Sequence, residues 1–345
     1  MKRIVRWAAG FAILALAAAC AGDSGPLIRI DGAPVAAGPN VADGAISPEN
    51  DGIGFAGAAD LGFFDDELVV LENRAERIVF FDEQFRATRW IGHEGAGPGE
   101  LRGPFRMQVF GQRLAVGEIN NKRISVFGRD GTFERSYPVP DGRVAFAFAG
   151  DEGFYVVSGM PDYYLQVVND SGAAHPFGGR PVDQYPPDEL TRPRLRGLGR
   201  ELVAMTPDGS VHVFDQLLGA FVRFGPDGIR QQIAKLPRAL LEPLRETYRL
   251  VLRDFGRPDD DEVSVANALS VTDDGRLLLL FSPVKDRIGL LVDPADYSGR
   301  EVLIPPDRGD RGRQRGAGAA ALHGGRLYLL RLDEVTVHEL SGGGS

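Results

Sequence analysis

A fourteen-residue stretch at positions 68–81 (LVVLENRAERIVFF) recurs at 114–127 (LAVGEINNKRISVF), 46 positions further on. Leu68 matches Leu114, Val70 matches Val116, Glu72 matches Glu118, Arg77 matches Arg123, Ile78 matches Ile124 and Phe81 matches Phe127. Each copy reads as strand, turn, strand. A unit that small cannot bury its apolar face alone, so repetition demands that neighbours stack around a shared core. A length of 345 residues would allow two domains, but a closed all-β array of repeats reaches this size as one. The mixture of 43% hydrophobic and 25% charged residues excludes disordered and collagen-like classes.

From residue 58 onward short apolar runs alternate with turn signals such as Asp130-Gly131, Asp208-Gly209, Asp227-Gly228 and Asp274-Gly275. The strand that ends each hairpin can be followed as 78–81, 124–127, 165–168, 221–224, 288–291 and 335–340, which gives six copies. Their starts are spaced by 46, 41, 56, 67 and 47 residues. One long interval holds a Pro- and Arg-rich insertion at 175–200. The other holds an expected helix at 243–255, with Pro243 in its first turn and Leu244, Tyr248, Val251, Leu252 and Phe255 on one face. That helix is expected to cap an apolar edge; a partner-binding helix is the alternative. The segment 31–57 has no steady period and reads as an extended connection.

The hairpins resemble the NHL repeat, whose usual form is a strand, Asp-x-x-Asn-x-Arg-Ile, and a second strand. Glu118, Asn121, Arg123 and Ile124 match it with Glu in place of Asp; Glu72, Arg77 and Ile78 match with Ala75 in place of Asn; Arg287 and Ile288 remain in the fifth copy. Residues 91–100 (IGHEGAGPGE) resemble the connection between blades in bacterial NHL-like propellers. The resemblance covers residues 58–139 well and only in generic β character thereafter. It implies an all-β fold, a six-bladed β-propeller over 58–340 with one inserted helix between blades four and five. Blade six shows three strands, at 317–323, 327–331 and 335–340, and residues 26–30 are expected to supply its fourth, removing the exposed edges.

Residues 1–19 place Lys2, Arg3 and Arg6 before the apolar run 8–19 and read as a signal peptide. Cys20 follows Ala17-Ala18-Ala19, which resembles the lipobox of bacterial lipoproteins although Ala17 stands where that family usually has Leu. Lipid on Cys20 would make 20–57 a membrane tether and closing strand. By resemblance to Gram-negative lipoproteins, Ala21 after it implies the outer membrane, facing the periplasm or cell surface. The alternative is cleavage that leaves a soluble protein with a free thiol. Without Lys2, Arg3 and Arg6 the net charge moves from -9 to -12, which argues against nucleic-acid binding. A single cysteine permits no internal disulfide, so packing must supply the stability. Residues 341–345 read as a flexible tail.

No pattern announces catalysis. Gly22-Asp23-Ser24-Gly25-Pro26 looks like a protease nucleophile segment but has no fold around it, and Arg308-Gly309-Asp310 is a chance tripeptide. The glycines of 95–99 precede a strand rather than a helix, so they read as turns between blades and not as a phosphate cradle. His93, His175, His212, His323 and His338 lack metal-ligand spacing, and no cofactor motif is present. Gluconolactonase-like propellers hold a metal with Glu, Asn and Asp, so Glu72, Glu118, Asn121 and Asp215 invite comparison. Equal spacing of Glu72/Arg77 and Glu118/Arg123 favours hairpin ion pairs instead. The run Asp259-Asp260-Asp261-Glu262 reads as a solvated loop in preference to a calcium site.

The basic residues give the candidate ligand site. Arg192, Arg194, Arg196 and Arg200, with Arg308, Arg311, Arg313 and Arg315, fall in loops leading into blades, and Arg74, Lys122 and Lys285 fall in hairpin turns of the same face. They would form a cationic rim for carboxylate, phosphate or acidic sugar. The alternative is that they pair with Asp188, Glu189, Asp307 and Asp310. The expected function is a non-catalytic binding scaffold for an envelope protein or an anionic glycan or small molecule. A metal-dependent hydrolase or lyase of the lactonase type is the alternative, and a purely structural envelope role the third.

Overall fold

A computed structural model describes residues 27–31, 34–40, 55, 57–139, 145–148, 153–158, 160, 162–185, 201–254, 264–284, 287–303, 318–331 and 334–341. The chain is an all-β propeller with one helix. Two early strands, β1 (Arg29–Ile30) and β2 (Val35–Asn40), precede the repeats. The first four-stranded sheet is β3 (Ala58–Phe64), β4 (Glu67–Glu72), β5 (Arg77–Phe81) and β6 (Ala87–Ile91). The second is β7 (Pro104–Phe110), β8 (Arg113–Glu118), β9 (Arg123–Gly128) and β10 (Phe133–Pro138). The third comprises β11 (Phe146–Phe148), β12 (Phe154–Val157), β13 (Tyr163–Val168) and β14 (Ala174–Gly179). The fourth comprises β15 (Leu202–Met205), β16 (Val211–Asp215), β17 (Ala220–Phe224) and β18 (Arg230–Lys235).

Helix α1 (Arg238–Asp254) follows, and then β19 (Ala266–Val271), β20 (Leu277–Val284), β21 (Arg287–Val292), β22 (Ser298–Leu303), β23 (Ala319–His323), β24 (Arg326–Arg331) and β25 (Glu334–Ser341). These last strands belong to one nine-stranded sheet ordered β19-β20-β21-β22-β2-β25-β24-β23, with β1 beside β22. By hydrogen bonding the described strands thus form five sheets rather than six separate ones. The coupling element is β2, which lies parallel to β22 at Val35↔Val302 and antiparallel to β25 at Ala36↔Ser341 and Ala37↔Leu340.

The closing strand is therefore β2 and not residues 26–30. Leu27 instead bridges Lys235, and Arg29–Ile30 run parallel to Ser298–Gly299. The stretch 31–57, expected to be an extended connection, contains the strand that shuts the ring. Innermost strands β3, β7, β11, β15, β19 and β23 touch in that order, and β23 returns to β3.

Sheets stack face to face, which explains the unbroken apolar runs: both faces of a middle strand are covered. In β4, Leu68 and Val70 pack toward Tyr328, Leu330, Val335 and Val337, whereas Val69 and Leu71 pack toward Met107, Leu114 and Val116. Between the fourth sheet and β20, Leu240, Leu241 and Leu244 of α1 join Phe214, Phe221, Leu277 and Leu279. The helix begins five residues before the expected start. Pro237 accepts the amides of Leu240 and Leu241, and the buried face starts at Leu240, so Pro243 lies inside the helix. Gly219 makes the docking possible: at φ +62° a Cβ would stand 2.6 Å from Leu241 Cδ2. No helix among the described residues is long and apolar enough to cross a membrane.

Candidate functional site

A channel cavity of ≈ 600 Å³ lies inside the circuit of innermost strands. Among the described residues each of those strands has no partner strand on its channel side, so its peptide groups there need other partners. Side chains from the neighbouring innermost strand, or from the hairpin beside it, supply them. Asp60 accepts the amides of Leu61 (3.0 Å) and, across to the second sheet, Met107 (2.9 Å). Gln108 accepts the amide of Phe148 at 2.8 Å. Gln216 brackets Ala266, accepting its amide at 3.0 Å and donating to its carbonyl at 2.8 Å. Ser270 donates to the Ala320 carbonyl at 3.2 Å.

Arg106 breaks this neighbour-to-neighbour pattern. Its Nη2 donates to the Asn267 carbonyl at 2.8 Å, from β7 to β19, strands separated by two others either way round the circuit. The guanidinium therefore spans the channel. It also stands 5.2 Å from the ring centroid of Phe105, a half-exposed aromatic. Register shifts at the starts of β3, β7 and β19 make Ala59, Phe105 and Asn267 bulged residues, one in each strand. A bulge re-aims the side chains that follow it. Here it brings Asp60 and Arg106 into the channel wall. Burial pushes the Asp60 carboxyl above the usual carboxylate range, against the opposing pull of Arg106 and of the two amides it accepts. No ion pair joins Asp60 to Arg106 among the described residues, and no second acceptor for Arg106 is found there.

The repeated carboxylates occupy hairpins, not the channel wall. Glu72 and Glu118 are fully buried. Arg77 Nε donates to Glu72, and Arg123 Nε donates to Glu118 at 2.8 Å, as the spacing predicts. Glu118 also accepts from Asn121 (2.5 Å), Ser125 (2.5 Å) and the Arg102 amide (3.0 Å). Arg123 reaches onward to the carbonyls of Ala96, Gly97 and Glu100, and Asn121 to that of Gly95, so this hairpin clamps the glycine connector. Asp215 accepts the hydroxyls of Tyr164 (2.6 Å) and Tyr185 and the Leu218 amide (2.9 Å). The four residues compared with a lactonase metal set are thus spread over three sheets, each engaged by groups of its own hairpin or of an adjoining segment.

The histidines are also apart. His212 is buried between Tyr297 (2.9 Å) and Thr206 (3.2 Å), and burial, helped by Arg223, lowers its pKa from 6.5 to about 4. His323 lies between Asp66 and Asp273, 3.0 Å from each, on the ring of Phe63. His93 approaches Glu100, and His338 meets Thr336. Among the described residues no group of three or more His, Cys, Asp or Glu is arranged to hold a metal.

Arg74 and Lys122 are exposed in the hairpin turns. The remaining rim residues, Arg192, Arg194, Arg196, Arg200, Lys285, Arg308, Arg311, Arg313 and Arg315, lie outside the described residues, as do Cys20 and the run 259–262. Sequence reasoning passed over Asp60 and Arg106. The available signal was that each is the third residue of its innermost strand and is followed by an apolar residue, Leu61 or Met107.

No family model matches the chain, and no curated protein matches it. Solved structures share its fold. A streptogramin B lyase superposes with a TM-score of 0.53 at 11% identity, covering 84% of this chain and 95% of the other. A gluconolactonase from Xanthomonas campestris gives 0.51 at 11% identity, over 92% and 98%. A Bacteroides fragilis protein described as exported gives 0.52 at 11% identity, over 88% and 87%. These likenesses place the chain among β-propellers.

Proposed function

We propose that the chain is a six-bladed propeller of NHL type, exported and lipid-anchored through Cys20, that serves as a binding scaffold and not as a catalyst. Dividing the nine-stranded sheet at β2 gives β19–β22 as blade five and β23, β24, β25 and β2 as blade six. The ligand is an envelope protein or an anionic glycan or small molecule, engaged at the channel end where the innermost strands begin. One observation carries this reading: Glu72, Glu118 and Asp215 are each occupied by donors of their own or an adjoining sheet, while Arg106 stands in the channel with a single protein acceptor among the described residues. The Arg-rich segments 192–200 and 308–315 lead into β15 and β23, which begin at that same end, and would add to the attraction for anions.

Retention on immobilised polygalacturonate tests the anion-binding part. Replacing Arg194, Arg196, Arg311 and Arg313 with Glu is expected to abolish it; unchanged retention would retire the rim. Cys20→Ala is expected to abolish labelling by radioactive palmitate in cells, and persistent labelling would remove the anchor.

The second reading is a metal-dependent hydrolase or lyase, favoured by the fold shared with the gluconolactonase and the streptogramin B lyase. Stoichiometric divalent metal in the purified protein together with lactone hydrolysis would establish it over the scaffold.

A further inference from the structure

We propose that the leading end of the channel binds small zwitterions, Arg106 taking the ligand's carboxylate and Asp60 its ammonium group. This rests on the reading of that end as a ligand-binding face and narrows its small-molecule ligand from anions in general to molecules that carry an ammonium group as well as a carboxylate. Both side chains line the cavity of ≈ 600 Å³, a volume within the range of small-molecule sites. Each is fixed by backbone: Asp60 by the amides of Leu61 and Met107, Arg106 by the Asn267 carbonyl. They attract one another across the cavity without forming an ion pair. Two opposite charges held apart against a partly apolar wall make a fixed dipole.

The dipole decides the ligand class by exclusion as much as by attraction. A simple anion drawn to Arg106 meets the repulsion of Asp60, and a simple amine meets that of Arg106. A molecule carrying both groups satisfies both, and in a partly enclosed cavity each mismatch weighs more than it would in open water. The apolar walls at Leu61 and Met107 suit the carbon chain between the charged ends. Arg106 retains further N–H groups in its fork for a two-pronged contact with carboxylate.

The test is calorimetric titration of the full chain in detergent with ω-amino acids from glycine to 6-aminohexanoate, each compared with the carboxylic acid and the amine of equal length. At the preferred length the zwitterion is expected to bind at least about tenfold more tightly than either single-charge probe. Arg106→Met should reduce zwitterion affinity by about tenfold or more, and Asp60→Asn should equalise zwitterion and carboxylate. Asp60 also supports Met107, so its variant can misfold; the wild-type probe series decides the proposal without it. Equal binding of carboxylate and zwitterion overturns the proposal and leaves an anion site intact. Zwitterion binding that survives Arg106→Met overturns the placement. Failure of every probe to bind the wild type overturns both this proposal and the small-molecule form of the reading beneath it.

Discussion

Glu118 and Asp215 end equivalent strands, and each is in register with the first residue of the next: Arg123 in the second sheet, Ala220 in the fourth. Both carboxylates are buried. The second sheet answers its carboxylate with a guanidinium from the hairpin itself. The fourth has no cation among the direct donors to its carboxylate and draws on two tyrosine hydroxyls from the third sheet and its border, with the Arg180 guanidinium attracting the charge from beside Tyr164. What the fold requires at this position is a set of donors, because an unsatisfied buried carboxylate costs several kcal/mol; whether they are charged is left open. The price of the neutral solution is dependence on residues far away in sequence.

Arg123→Ala should break the comparison most severely. It leaves Glu118 buried without its counter-charge and frees the connector at Gly97, so unfolding free energy by urea titration should fall by about 3–5 kcal/mol. A loss under about 1 kcal/mol would mean that Glu118 needs no charged group among its direct donors, as Asp215 has none.

Acid separates the two regions next. His212, on the same strand as Asp215, has a pKa lowered from 6.5 to about 4, so between those values the unfolded chain binds a proton that the folded chain refuses. Stability should be unaffected by this group above pH 6.5 and should decline as pH falls toward 4, by up to about 1.4 kcal/mol per unit. His212→Gln should flatten that slope in urea midpoints measured across the window. An unaltered slope would assign the acid sensitivity elsewhere.

Tyr164→Phe and Tyr185→Phe should each cost about 1.5–3 kcal/mol, the range for hydrogen bonds to charged acceptors. Both hydroxyls donate to Oδ2 of Asp215 and lie 2.9 Å from each other, so the double variant should depart from additivity by at least about 0.5 kcal/mol. Strict additivity would show that they act separately. The smallest effect is expected from Ser125→Ala, about 1 kcal/mol, since Arg123, Asn121 and the Arg102 amide remain on Glu118.

Local chemistry was legible in the sequence and distant chemistry was not. Glu118 and Arg123 are five residues apart and repeat, so their pairing could be read directly. Tyr164 and Tyr185 stand 51 and 30 positions from Asp215, and no period relates them. The strands ending each hairpin fell where their short apolar runs placed them. The closing strand did not, because VAAGPN carries no alternation and its pairing shifts between Ala37 and Asn40. Asp60 and Arg106 look like ordinary polar residues of half-covered strands. Their position follows from bulges, and from a ring closure that sets β7 opposite β19 across the axis. The helix was recognised by its periodicity, but Pro243 was taken for a start signal when Pro237 was the relevant one.

The position of β2 has a consequence for the order of events during biosynthesis. Its antiparallel partner is made only after almost every other strand has emerged, and contacts between such remote segments form late because the intervening loop must first be closed. Until the partner at Glu334–Ser341 is available, the torus stays unlocked. A polypeptide delayed in this way stays open until nearly all of it has been synthesised.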